Sequence, residues 1–198
     1  ISVNNPIELE AGKKTAGKQR VTSMLLDTKL TASTNIGFLS GQAIEADAFL
    51  GLQGTEAFNL DNSESKTNFI GIKSNTMIGE DLKLSTMITS GNSDMSRNGD
   101  GIINGGKNVV SNSYGLSVEK LNIFNNDLLS LSIMQPNRVE KGSLKVITTN
   151  LSDSEGNLTY NNNDVSIVPS GRQKDFAISY AKTFHENFSI SSKLVATQ

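Results

Sequence analysis

The sequence predicts an all-β protein, an antiparallel barrel or sandwich assembled from repeated hairpins. Three stretches carry that expectation. Ile78-Gly79-Glu80-Asp81-Leu82-Lys83-Leu84-Ser85, Phe124-Asn125-Asn126-Asp127-Leu128-Leu129-Ser130-Leu131-Ser132 and Phe184-His185-Glu186-Asn187-Phe188-Ser189-Ile190-Ser191 repeat one phrase. In each, a bulky apolar residue leads into polar turn residues and then into apolar/polar alternation. Period-two alternation places every second side chain on one face, as in a half-buried strand. Gly, Asn and Asp accept the positive φ that tight hairpins require.

Composition agrees. The chain has 198 residues, long enough for one β domain of ordinary size. It has no cysteine, so disulfides and thiolate metal sites are excluded. A net charge of −2 gives no global basic field, and nucleic acid is not expected as a partner. Hydrophobic residues make up 36% and mean hydropathy is −0.27, which suits a water-exposed β protein with polar loops. No stretch approaches the roughly 18 apolar residues of a spanning helix. With Ile1 at its start and no signal peptide, the chain reads as part of a longer polypeptide.

In order, residues 1–22 read as an extended N-terminal segment and linker, and 23–198 as the antiparallel β domain. Residues 11–20 (AGKKTAGKQR) hold four basic side chains, taken as a solvated linker rather than an anionic contact. Val21 to Leu30 reads as a strand. From Ile36 to Phe58, the alternation of Ile44, Ala46, Ala48, Leu50 and Leu52 favours strand over a short helix at Gln42 to Leu50. Asp61 to Lys66 reads as a loop. Phe69 to Thr89 forms the first hairpin, with Leu82, Leu84, Thr86 and Ile88 on one face. The Gly- and Asn-rich run from Ser90 to Ser113 is expected to be a loop. Tyr114 to Met134 forms the second hairpin, and Pro136 marks a strand end, bulge or edge. Gly142 to Thr148 is a further strand. Asn150 to Asp164 reads as a loop, Val165 to Val168 as a short strand, and Phe176 to Ala196 as the third hairpin.

Two stretches carry a family likeness. Leu131-Ser132-Ile133-Met134-Gln135-Pro136-Asn137-Arg138-Val139-Glu140-Lys141-Gly142-Ser143-Leu144 resembles an LSQPLRVxxGxL pattern. Val168-Pro169-Ser170-Gly171-Arg172-Gln173-Lys174-Asp175-Phe176-Ala177-Ile178-Ser179-Tyr180 resembles PxGRExDLELxY, with Gln173 where the pattern has Glu. Over residues 113–196 the chain thus resembles the non-catalytic C-terminal β-region of Gram-negative subtilisin-like serine proteases. The resemblance implies a secreted or cell-surface, extracytoplasmic location. It also implies an upstream protease domain as partner and a role in export, surface attachment or protein–protein interaction.

The residues give no catalytic set. The sole histidine, His185, sits in a hairpin turn, and Gly37-Phe38-Leu39-Ser40-Gly41 has the wrong spacing for a nucleophile elbow. No catalytic residue, resident cofactor or enzymatic activity is expected of the chain itself. Calcium is the one metal weighed. Ser96 to Asn104 echoes a D-x-N-x-D-G loop, with Asn98, Asp100 and Asn104 as side-chain ligands and the Ile102 carbonyl beside them. Ser96 and Lys107 depart from that pattern, and a solvated loop is preferred. Arg138 and Arg172 are expected to pair with Glu140 or Asp175 and lock the two motif stretches; Gln135, Pro136, Gly142, Pro169 and Gly171 complete this structural set.

Two other classes remain open. One is a self-assembling surface or filament subunit, in which copies of the chain pair by strand addition and Ile1 to Leu9 is donated. The other is an outer-membrane β-barrel, suggested by strands alternating with short turns and long loops. Zero Trp and 6% aromatic residues argue against the girdles of such a barrel, so membrane association is not favoured from sequence.

Overall fold

The computed structural model describes residues 18–198 apart from 55–57, 99, 100, 151–155, 157, 186 and 187. Nine strands follow in order: β1 (Gln19–Lys29), β2 (Thr34–Ala46), β3 (Ser63–Ile78), β4 (Leu82–Arg97), β5 (Ile103–Leu121), β6 (Asp127–Thr149), β7 (Tyr160–Ser166), β8 (Asp175–His185) and β9 (Phe188–Thr197). They form one antiparallel sheet in the order β1-β2-β3-β4-β5-β6-β8-β9, with β7 also on β6. The sheet is not closed: among the described residues β1 and β9 end its main path, and β7 pairs with β6 alone. The first two repeated phrases hold hairpin turns, with Gly79, Asn125 and Asn126 at positive φ, and the third spans the antiparallel pair β8 and β9.

Several expected loops are strand instead. Ser90 to Ser113 continues β4 to Arg97 and resumes as β5 at Ile103; likewise β3 starts at Ser63 and β7 at Tyr160. Small polar side chains sustain these extensions by bonding across the ladder. Thr67 Oγ1 and Ser93 Oγ lie 2.7 Å apart, and Thr89 Oγ1 and Ser113 Oγ 2.5 Å apart. The opposite correction holds at Ala48 to Leu52, where strand was expected. β2 stops at Ala46, and the chain turns back through Asp47, Leu50 and Gly51, all at positive φ. Gln42 to Ala46 is strand, as preferred over the short helix. β1 starts at Gln19, inside the stretch read as linker; the expectations for residues 1–17 lie outside the described residues.

The returning segment forms the small core. Phe49 and Leu60 pack with Met95 and Val109, flanked by Leu50, Ile103, Val139, Leu144 and Ile167. Glu45, itself buried, pins the turn: its carboxylate accepts from the Gly51 amide (3.0 Å), the Ser65 hydroxyl (3.0 Å) and the Gln19 amide (3.4 Å). Longer connections gather at this end of the sheet, between β2 and β3, β6 and β7, and β7 and β8. The β1–β2, β3–β4, β5–β6 and β8–β9 turns, each of five residues or fewer, lie at the other.

Candidate functional site

β6 has 23 residues and serves two neighbours in succession. Asp127 to Met134 pairs with β8, and Ser143 to Thr149 pairs with β7. Between them, Gln135 to Gly142 lacks a strand partner on that edge. The motif residues gather at this seam. Pro136 sits where no ladder donor is needed, which explains a proline inside a strand. Arg138 replaces the missing ladder, donating from Nε to the Gly171 carbonyl (3.0 Å) and from Nη2 to the Pro169 carbonyl (2.7 Å). Its Nη1 meets Glu140 Oε2 at 2.6 Å, and Arg172 Nη2 reaches the same oxygen at 3.0 Å. Arg172 Nη1 also donates to Gln135 Oε1 at 2.8 Å, and Gln135 is fully buried. Gly142 takes φ 137°, and a Cβ there would stand 2.7 Å from Val109 Cγ2, so only glycine fits. Both arginines choose Glu140; Asp175 accepts from the Gln173 amide instead, at 3.0 Å.

The loop considered for calcium is organised differently. Asp100 lies outside the described residues. The Ile102 carbonyl accepts from the Ile147 amide at 2.7 Å, and Asn104 is an exposed residue of β5. The Asn98 amide donates to the Asn62 carbonyl. A guanidinium occupies the neighbourhood: Arg97 Nη1 donates to the Asn59 and Ile103 carbonyls, and Nη2 to Asn59 Oδ1 at 2.7 Å. Arg97 thus takes up the Asn59 and Ile103 carbonyls and Asn59 Oδ1 beside that loop.

The larger feature, missed when strands are read singly, is how the faces line up. Register pairs Leu26 with Phe38, Phe38 with Ile72, Ile72 with Ile88 and Ile88 with Tyr114. Farther on, Leu116, Ile133 and Phe176 form one cross-strand row, and Val118, Leu131, Ile178 and Leu194 the next. Every strand of the main path contributes to this one apolar face. Most of these side chains are about half exposed, Ile70 at 65% and Leu194 at 73%. Across β5, β6, β8 and β9 the face dips into a shallow apolar groove of about 530 Å³. The opposite face is richer in small and polar side chains, although Leu25, Leu39, Phe69, Met87, Met134 and Val195 also lie on it. Its most buried side chains include Ser65, Ser93 and Ser111, and its ion pairs are Lys73–Asp27 (3.0 Å) and Lys83–Glu119 (3.1 Å).

The apolar face has polar margins at both ends. Toward the long connections stand Gln42 and Asn68, bonded at 2.8 Å, then Lys66 opposite Asp94. Toward the short turns stand Lys120, paired with Asp81 at 3.1 Å, and Lys182. Phe38 and Tyr114 share the row that runs through Ile72 and Ile88, with Ile44 farther along β2 on the same face, and Phe176 lies near the start of β8; Tyr180, Phe184 and Phe188 stand toward the other end. The Tyr180 hydroxyl donates to Asp127 (2.8 Å), and the Phe184 and Phe188 rings lie 5.7 Å apart.

Comparison with known protein families, characterised proteins and solved structures returns no match, so this surface is read from its own chemistry.

Proposed function

We propose that the chain forms part of the wall of an outer-membrane-type β-barrel, with the apolar face against lipid and the polar face toward water. The observation that carries this reading is the slant of the apolar band. Leu194 connects through Ile178, Leu131, Val118, Leu84 and Thr76 to Thr34, whereas Met24 lies opposite Ser40. The upper border thus drifts by about six residues across the sheet, roughly 20 Å at 3.4 Å per residue. The lower border, Leu26 to Ile190, drifts by about eight, roughly 27 Å. The eight strands of the path are about 34 Å apart from first to last. A band level with a membrane therefore requires strands tilted by about 30–40°, against about 35–45° in transmembrane barrels.

Energetics point the same way. Fully burying an Ile, Leu or Phe side chain is worth about 1.5–3 kcal/mol. Leaving more than a dozen of them half exposed forgoes on the order of 10 kcal/mol, comparable with the whole stability of a domain. A sheet normally buries such a face against a second layer. Here no second layer lies over it among the described residues, and lipid would serve. No described helix is long and apolar enough to cross a membrane; strands are the elements available for that role.

A second reading rests on the seam, where the two stretches with a family likeness meet through Arg138, Glu140 and Arg172. It casts the chain as the C-terminal β-region of an exported subtilisin-like protein, itself non-catalytic. The two readings are compatible: a membrane-embedded sheet would hold an exported domain at the cell surface. The test of the first is partition. The chain, refolded with phosphatidylcholine vesicles, is expected to float with them through an alkaline carbonate wash. A monomer that stays in solution without detergent would overturn the membrane reading.

A further inference from the structure

We infer that in a membrane the eight strands of the main path close on themselves, β1 pairing with β9 of the same chain, into a barrel with a filled interior. The inference rests on the membrane reading, because backbone groups find no water in hydrocarbon and an open edge cannot persist there. Eight strands leave an interior just wide enough for side chains to fill, whereas sixteen enclose water. The closed chain is therefore an anchor and not a channel.

The polar face carries the marks of a narrow interior. Gly37, Gly41, Gly71, Gly91 and Gly115 all fall on it. Asp27 of β1 and Lys73 of β3 are both register partners of Gly37, and their charges meet over it at 3.0 Å. A Cβ at Gly37 would collide with both side chains, and one at Gly41 with the Phe69 ring. Side chains thus converge over strands about 10 Å apart on a flat sheet, as they do on the concave side of a tightly curled one. The larger apolar residues of this face agree. Leu25, Leu39, Met87, Met134 and Val195 are ill suited to line a water-filled pore but fill a closed one. At the end with the long connections the filling is already in place. Phe49 and Leu60, from the β2–β3 connection, pack with Met95 and Val109, and Val139 and Ile167 close on them from β6 and from beyond β7. The short-turn end, where Lys83 and Glu119 pair beside Ser130, is the mouth that water enters.

The two edges match. The slant of the apolar band, carried through one further strand step, sets Leu26 opposite Ile190. Gln19 to Thr28 then face Thr197 to Phe188 residue for residue and antiparallel, so all of β9 is paired. Closing within one chain also avoids the entropy that joining two copies would cost. β7 stays outside this barrel. It joins β6 at Ser143, ten residues and about 34 Å along the strand from Ile133 in the band. Its outer edge, with Asn161, Asn162 and Asn163, stands in water and needs no partner strand.

The cysteine-free chain makes the test direct. The double variant Leu25→Cys/Ser191→Cys is refolded at high dilution in phosphatidylcholine vesicles and mildly oxidised. Directly paired residues fall within the Cα separation a disulfide needs. A disulfide within one chain is expected, at least about 10-fold above that of Val21→Cys/Ser191→Cys, whose sites stand about 13 Å out of register. The same vesicles should retain entrapped glucose. A mixture of the single variants Leu25→Cys and Ser191→Cys supplies the other arm. Covalent dimer from that mixture, or release of the glucose, would overturn the filled single-chain barrel. Vesicle-bound protein that links in neither arm would overturn it too, while leaving the membrane reading intact. A disulfide within one chain in aqueous buffer, by protein that does not float with vesicles, would support the edge pairing and sink the membrane reading instead.

Discussion

The two faces of the sheet reverse the usual rule of burial. On one, Ser65, Ser93 and Ser111 are almost wholly enclosed and Glu45 is buried. On the other, Ile70, Ile72, Ile88, Leu131 and Leu194 stand half exposed or more. Ordinary globular proteins place aliphatic side chains inside and charged ones outside. The true apolar core, Phe49, Leu60, Met95 and Val109, is small and confined to the end with the long connections. The contrast teaches that alternation alone does not say what covers an apolar face: it builds a sandwich core elsewhere, and on the proposed membrane reading it builds a surface for lipid here.

The sharpest way to break that comparison uses neighbouring residues on β6. Leu131 lies in the apolar band, and Ser130 lies on the polar face opposite Glu119. An arginine at the middle of a lipid-facing surface costs about 2–4 kcal/mol. Leu131→Arg is therefore expected to lower stability in vesicles by about that amount, read from urea unfolding by far-UV circular dichroism. Ser130→Arg should cost less than about 1 kcal/mol, since its charge meets water and a carboxylate. Equal losses at the two positions would show that the faces do not see different solvents.

A smaller effect is expected at the seam. Glu140→Ala would leave Arg138 and Arg172 without their shared acceptor. Arg138 has a side chain only 13% exposed, whereas Arg172 is 46% exposed. Breaking the half-buried pair should cost about 1–2 kcal/mol, the Arg172 pair well under 1 kcal/mol. Glu140→Ala should therefore destabilise clearly more than Arg172→Ala by urea titration. Equal effects would place the energy in Arg172 and not in the Arg138 bridge across the β7–β8 gap.

Sequence reading captured what is local. Asn122, Asn125, Asn126 and Gly79 supply the turns, and Leu82 to Ile88 or Phe176 to Tyr180 reveal strands by alternation. It could also join Arg138 and Arg172, because Glu140 is two residues from one and the paired motifs set the other. It failed where small polar residues form strand: Gly91-Asn92-Ser93 looks like loop until Thr67 and Ser111 supply its neighbours. The slanted band was not legible for a related reason. Phe38, Ile72, Ile88 and Tyr114 are scattered in sequence and align into one cross-strand row only once register is known.

The smallest effect concerns the turn below the band, where polar and apolar faces meet. Burial pushes the Asp127 carboxyl up, but the Phe124 amide, the Tyr180 hydroxyl, the Ile123 amide and nearby Lys182 outweigh it and hold its pKa below 3.8. The Phe124 amide reaches both carboxylate oxygens, at 3.1 and 3.0 Å. A carboxyl whose folded pKa is depressed contributes fully above its unfolded value and loses that contribution as pH falls through the folded one. Asp127→Asn removes the charge while keeping the shape. The gap in melting temperature between wild type and Asp127→Asn should be widest near about pH 6 and shrink toward about pH 2. Tyr180 gives the mirror case: its bond to Asp127, then burial, then the Asp127 charge raise the phenol above 10.0. Its contribution is present below that value and fades as pH rises through the raised one, so Tyr180→Phe should converge with wild type only in strong alkali. A gap that stays constant from neutral to acid pH would mean that Asp127 acts through shape alone, and that the turn does not depend on its charge.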